Sequence, residues 1–221
     1  MSEDLEKDKH PEQSVYERIS QDHIDALQEI GNIGSGHAAN ALSELLNRKI
    51  DMSLPRFNLL TTTELSQVQW REHSPGDAHA VVIVESTGEL LLHILVIFDQ
   101  PTLQGLIKLI RPSPEAPTLG QLSSLDKSIL QEIGNILALH YLTAITSFLH
   151  KKSIPVGPPN ILIEASETVL TNIATQFATD FTHVLLIECD VFTSDLTLSP
   201  LVILIPEERT LDTLIKHLFG E

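Results

Sequence analysis

The heptapeptide LQEIGNI occurs twice in the chain, at residues 27–33 and again at 130–136, an offset of 103. Val81-Val82 corresponds to Val184-Leu185 at the same offset. Thr102-Leu103-x-x-Leu106-Ile107-Lys108 returns as Thr210-Leu211-x-x-Leu214-Ile215-Lys216 at an offset of 108. One seven-letter match can be coincidence; further matches in the same order at nearly the same spacing are not. The chain reads as a tandem duplication of a unit of about a hundred residues.

The pattern within a unit predicts its elements. From Asp22 to Asn47 the apolar residues Ile24, Leu27, Ile30 and Ile33, then Ala38, Ala41, Leu42, Leu45 and Leu46, recur at helical spacing. Lys49 to Leu65 is mixed and extended, broken by Pro55. Ala80–Ser86 and Leu90–Phe98 are strand-like runs joined near Gly88, which predicts a hairpin. Pro101 then opens a short helix. Each unit is thus a helix, an extended segment, a strand pair and a closing helix. Helices segregated from hairpin strands predict an α+β fold, with the two units related by a pseudo-two-fold and sharing one central sheet flanked by helices. The expected divisions are an acidic, flexible tail at 1–20 and a domain over 21–221. That domain would be built from repeats 21–111 and 119–221 joined by a proline-rich linker at 112–118.

Composition narrows the functional classes. With 14 Lys and Arg against 30 Asp and Glu, the formal charge of −16 argues against nucleic acid, whose binding is driven by cations. The single cysteine, Cys189, can form neither an internal disulfide nor a cysteine-based zinc cage, and its place after a strand run suggests a buried core thiol. The longest apolar runs, Ile94–Phe98 and Leu201–Ile205, are too short to span a bilayer, and the residues MSEDLEKDKHPEQS lack a signal-peptide pattern. The expectation is a cytoplasmic protein with no membrane insertion.

The repeated helix carries the chemistry. Asp25, Glu29 and Asn32 fall within roughly 60° of one another on a helical wheel, with Leu27 and Ile30 behind them. Ser128, Glu132 and Asn135 form the same stripe in the second unit, backed by Leu130 and Ile133. A single Glu-x-x-Asn on a helix is ordinarily a solvated face. Here Asn, a poor helix former, and the neighbouring Gly31 or Gly134 occur in both copies. Each glycine costs about 1 kcal/mol against alanine in a helix. Close packing accounts for the glycines but not for the asparagines. The glycines of GNIGSG suggest a phosphate-cradling loop, but that motif needs a strand before it, and these lie inside a helical pattern already under way. His37 and His140 are equivalent in the repeat, yet each lies about 100° or more from its Glu-Asn stripe and has no partner at ligand spacing.

The spacing Asp25-x3-Glu29-x2-Asn32-x22-Pro55 resembles the signature of the CheC family of chemotaxis phosphatases. Ser128-x3-Glu132-x2-Asn135-x22-Pro158 repeats it with Ser in the first place. The resemblance extends over nearly all of residues 22–220, although His37 stands where the family more often has Asn. It implies a hydrolase acting on the aspartyl phosphate of a CheY-like response regulator in two-component signalling. By that resemblance Glu29 and Glu132 pair with a basic residue of the regulator. Asn32 and Asn135 suit the orienting of an attacking water, because a neutral carboxamide can do so without repelling the phosphoryl oxygens. Asp25 and Ser128 are accessory positions on the stripe, and Pro55 and Pro158 shape the loop beside each helix. The resemblance implies no cofactor or metal on this chain, since the regulator carries its own Mg²⁺. It leaves open a scaffold related to flagellar switch proteins, and an adaptor that binds the receptor deamidase CheD.

Overall fold

The computed structural model describes residues 19–70, 77–111, 118, 121–151, 154–165, 168–178 and 181–219. The predicted tail, up to residue 18, and linker residues 112–117 lie outside the described residues. The first repeated helix, α1 (Gln21–Leu46), ends where Asn47 turns left-handed at φ 49°. A short strand β1 (Asp51–Met52), strand β2 (Arg56–Thr61) and a single-turn helix α2 (Thr62–Leu65) follow. Strands β3 (Ala78–Glu85) and β4 (Leu92–Phe98) pair antiparallel as the predicted hairpin, with Gly88 at φ 97° in the connection. Asp99 caps α3 (Gln100–Ile110), its carboxylate accepting from the Thr102 N–H at 2.9 Å while Pro101 occupies the first turn.

The second unit repeats this order. It runs through α4 (Ser124–Phe148), β5 (Asn160–Ala165), α5 (Val169–Phe177), β6 (His183–Glu188), β9 (Leu201–Pro206) and α6 (Glu208–Phe219). Between β6 and β9 stand two extra short strands, β7 (Val191–Phe192) and β8 (Thr197–Leu198). They pair with each other, and β7 also pairs with β1. This insertion explains why the repeat offset slips from 103 to 108 after the second strand of the unit.

The six-stranded sheet has the order β2-β6-β9-β4-β3-β5, every pairing antiparallel. Its centre is the β4–β9 pair, the third strand that each unit contributes to this sheet. Within this sheet each unit's first strand crosses to the other unit's second strand, β2 to β6 and β5 to β3. The order is therefore symmetric about the centre, a pseudo-two-fold sheet held in common by both repeats.

Alternate residues of this sheet serve two cores. Val82, Val84, Ile94, Val96, Val202 and Leu204 face the layer of α1, α3 and α4. Val81, Ile83, Leu95, Ile97, Leu201 and Ile203 face a second layer formed by α2 and α5. This second layer corrects the predicted unit, in which no helix follows the extended segment. It is also why the central strands read as unbroken apolar runs rather than alternating ones: both faces are covered. No helix among the described residues is long and apolar enough to cross a membrane.

Candidate functional site

Helices α1 and α4 lie side by side on one face of the sheet, and their contact is made of repeat-equivalent parts. The imidazoles of His37 and His140 meet edge to face with centroids 6.2 Å apart. Equivalent residues can meet in this way only near a two-fold axis. His140 is half-buried, and burial first, then the nearby His37, lowers its pKa below the ordinary value. Beneath them Ser35 Oγ and Tyr141 Oη are 3.0 Å apart, and the Tyr141 hydroxyl donates to Cys189 Sγ at 3.5 Å. Burial raises the Cys189 thiol to about 11. It is a core thiol, as its place in the sequence suggested.

The stripe residues fall on the solvent side of this helix pair. Asp25, Glu29, Ser128 and Glu132 are exposed, and Asn32 and Asn135 are half-exposed. Leu27, Ile30, Leu130 and Ile133 are buried behind them. Because each stripe lies on the N-terminal side of its own histidine, the axis places the two stripes on opposite sides of the crossing. Each unit thus presents its own Glu-Asn pair. The accessory residues are locally engaged: Asp25 Oδ1 accepts from Gln21 Nε2 at 2.8 Å, and Ser128 Oγ donates to the Ser124 carbonyl at 3.0 Å. Among the described residues, no hydrogen bond or ion pair engages the side chains of Glu29, Asn32, Glu132 or Asn135. Two carboxylates and two carboxamides are therefore presented outward with their bonding capacity unspent.

Space beside each stripe is set by its glycine. A methyl group on Gly31 would run into the ring edge of Phe57 and stand 3.3 Å from Pro55 Cγ. One on Gly134 would stand 2.7 Å from Val82 Cβ, on strand β3. The close approach is thus of side chains from the strands, which seat each helix low on the sheet. Pro55 is buried against α1, whereas its counterpart Pro158 is exposed. The loop of Pro158 is tied to α4 through Gln131 Nε2, which donates to the Pro159 carbonyl at 3.0 Å. The two prolines border their helices without entering either stripe.

Among the described residues, no group of three or more His, Cys, Asp or Glu side chains is arranged to hold a metal ion. Two features next to the first stripe escape the sequence reading. Ile33, counted there with the apolar side of the helix, is 50% exposed immediately after Asn32, and Leu54, before Pro55, is 72% exposed. The signal for Ile33 lies in its angle, about 80° from Asp25 and so on the polar side of the wheel.

The sequence profile of the CheC-like family matches residues 23–59, the span from α1 to β2 that includes the first stripe and Pro55. The CheY-P phosphatase CheC of Bacillus subtilis (strain 168) is 31% identical over 183 residues, covering 81% of this chain and 84% of that protein. The flagellar motor switch phosphatase FliY of the same organism is 26% identical over 168 residues, covering 71% of this chain but only 40% of that longer protein. Among solved structures, Thermotoga maritima FliY shares the fold with a TM-score of 0.69 at 19% identity, over 91% of this chain and 98% of that one. FliM in the FliM-SpeE complex from H. pylori shares it with a TM-score of 0.64 at 9% identity, over 92% and 100% of the two chains. With both repeats in one shared sheet and nearly a third of its residues identical to CheC over most of either chain, the protein belongs to the CheC-like family.

Proposed function

We propose that this protein is a phosphatase for the phospho-aspartate of a CheY-like response regulator in chemotaxis. The observation that carries the reading is the pair of outward-facing Glu-Asn stripes, one on each dyad-related helix, with no side-chain hydrogen bond or ion pair to the Glu and Asn among the described residues. The similarity to a CheY-P phosphatase over most of the chain supports it.

An acyl phosphate is already reactive, so placing an in-line water and balancing charge can supply most of the catalysis. In this reading the carboxamide of Asn32 or Asn135 holds a water behind the phosphorus. The water oxygen bonds to phosphorus as the bond from phosphorus to the aspartyl oxygen breaks. The products are the free aspartate and inorganic phosphate, and the water's proton leaves with phosphate or solvent. Glu29 and Glu132, which would repel a phosphoryl group, instead pair with a cation of the regulator and fix the docked pose. The regulator brings the divalent metal its own acidic pocket holds, and no residue of this chain is assigned to it. A scaffold role like that of switch proteins has likeness of fold behind it, at 9% identity for FliM, and does not call for a Glu-Asn pair in both units.

The two residue roles separate kinetically. Decay of a regulator phosphorylated with a small phosphodonor is followed against regulator concentration. Glu29→Ala/Glu132→Ala should raise KM by about tenfold or more with kcat largely kept, because it removes docking charge. A variant whose kcat falls while KM stays the same would assign the glutamates to the chemistry and overturn this division.

A further inference from the structure

The two stripes share their spacing but not their surroundings, and the difference bears on docking. Next to Asn32, the first stripe has Ile33 at 50% exposure, and on the loop that packs against Gly31 it has Leu54 at 72%. On the wheel Ile33 lies at about +80° from Asp25, while Pro55 and Phe57, which follow Leu54 in the chain, reach the helix near Gly31 at about −120°. The equivalents in the second unit are Ile136, which is half-buried, and Gly157, which has no side chain. α4 does expose Leu125, at 55%, but it stands ten residues before Asn135, about 15 Å along the helix. The apolar area is therefore beside the carboxamide in one unit and remote from it in the other. The charges differ as well. α1 aligns Asp22, Asp25 and Glu29, where α4 has Leu125, Ser128 and Glu132.

An apolar contact bordered by carboxylates matches one kind of partner: a protein surface with a small apolar patch and basic residues around its phosphorylated aspartate. We infer that α1 is the principal docking site for the phosphorylated regulator, with Ile33 and Leu54 as the apolar anchors that the second unit lacks. The inference rests on the phosphatase reading and deepens it. Both carboxamides can orient a water, but the α1 site captures its substrate at lower concentration. Its capture is also more sensitive to salt, because three aligned carboxylates steer a basic surface and one does not.

The test uses the full chain with one carboxamide removed at a time. Asn135→Ala leaves the α1 site, and Asn32→Ala leaves the α4 site. Regulator decay should give a KM lower by roughly five- to tenfold for Asn135→Ala, rising more steeply with salt, at similar kcat. Ile33→Ser and Leu54→Ser, placed in the Asn135→Ala protein, should each raise KM severalfold and leave kcat unchanged. The reciprocal variant is Gly157→Leu in the Asn32→Ala protein. A Cβ on Gly157 meets nothing nearer than the Glu85 carbonyl at 3.9 Å, so the leucine can be accommodated, and it should lower KM. Equal KM and equal salt dependence at the two sites, with an active wild type, would overturn this inference alone. So would an active wild type in which Ile33→Ser and Leu54→Ser leave KM unmoved. A wild type that does not change regulator decay at all would overturn the phosphatase reading and this inference with it.

Discussion

Cys189 follows the last residue of β6, and its thiol is enclosed with Tyr141 and Ser35 under the crossing of α1 and α4. Burial raises its pKa from 9.0 to about 11, so it remains a neutral thiol at physiological pH. A group whose folded pKa exceeds its unfolded value contributes stability that is complete below the unfolded value, here near 9, and is lost towards 11. The native protein should therefore resist a thiol reagent at pH 8 and react only on unfolding; rapid labelling of the folded chain would contradict the burial. The buried thiol is legible in the sequence because it follows an apolar strand run. Its bond to Tyr141 is not, since 48 residues separate them and only the fold brings them together. The Glu-Asn stripes are legible because helical period alone puts i, i+4 and i+7 on one face. Ile33 is misread for a related reason: it continues the run of Ile24, Leu27 and Ile30, but its angle carries it out of the core.

At the level of elements, the glycines in α1 and α4 determine how closely the helices approach the sheet. Gly134 faces Val82 Cβ, an atom fixed to the backbone of β3, whereas Gly31 faces the outer edge of the Phe57 ring, which can swing aside. Gly134→Ala should therefore destabilise the protein by about 1–2 kcal/mol, an overpacking cost of about 1–3 kcal/mol partly offset by the better helix propensity of alanine. Gly31→Ala should cost less. Urea unfolding of both variants checks this, and a Gly134→Ala midpoint at or above that of wild type would contradict the packing described. The long helices and the central hairpin are legible because their periodicity is strong and repeated. α2 is a single turn, and the β-branched Val169, Thr171, Ile173 and Thr175 disguise α5, although Val169, Leu170, Ile173, Ala174 and Phe177 form a buried helical face. β7 and β8 span two residues each, too few for any period to show.

Across the whole molecule, the duplication is visible in the sequence, but the exchange of first strands is not. Pairing between β2 and β6, or between β5 and β3, depends on which edges are free once both units are present. One unit alone leaves its first strand without its partner and half of the shared core open to water. Residues 19–111 expressed alone should not yield a monomer that unfolds cooperatively; size-exclusion chromatography with denaturant melts checks this, and a stable monomeric half would refute the shared sheet. The same symmetry brings two chemically similar Glu-Asn stripes to either side of one axis. The central claim is that the two carboxamides carry the reaction. The most direct measurement compares the decay of a phosphorylated CheY-like regulator alone, with wild type, and with Asn32→Ala/Asn135→Ala shown by circular dichroism to be folded. The account predicts acceleration by wild type and a loss of at least about a hundredfold of that acceleration in the double variant. Decay unchanged by wild type, or acceleration that survives the loss of both asparagines, would contradict it.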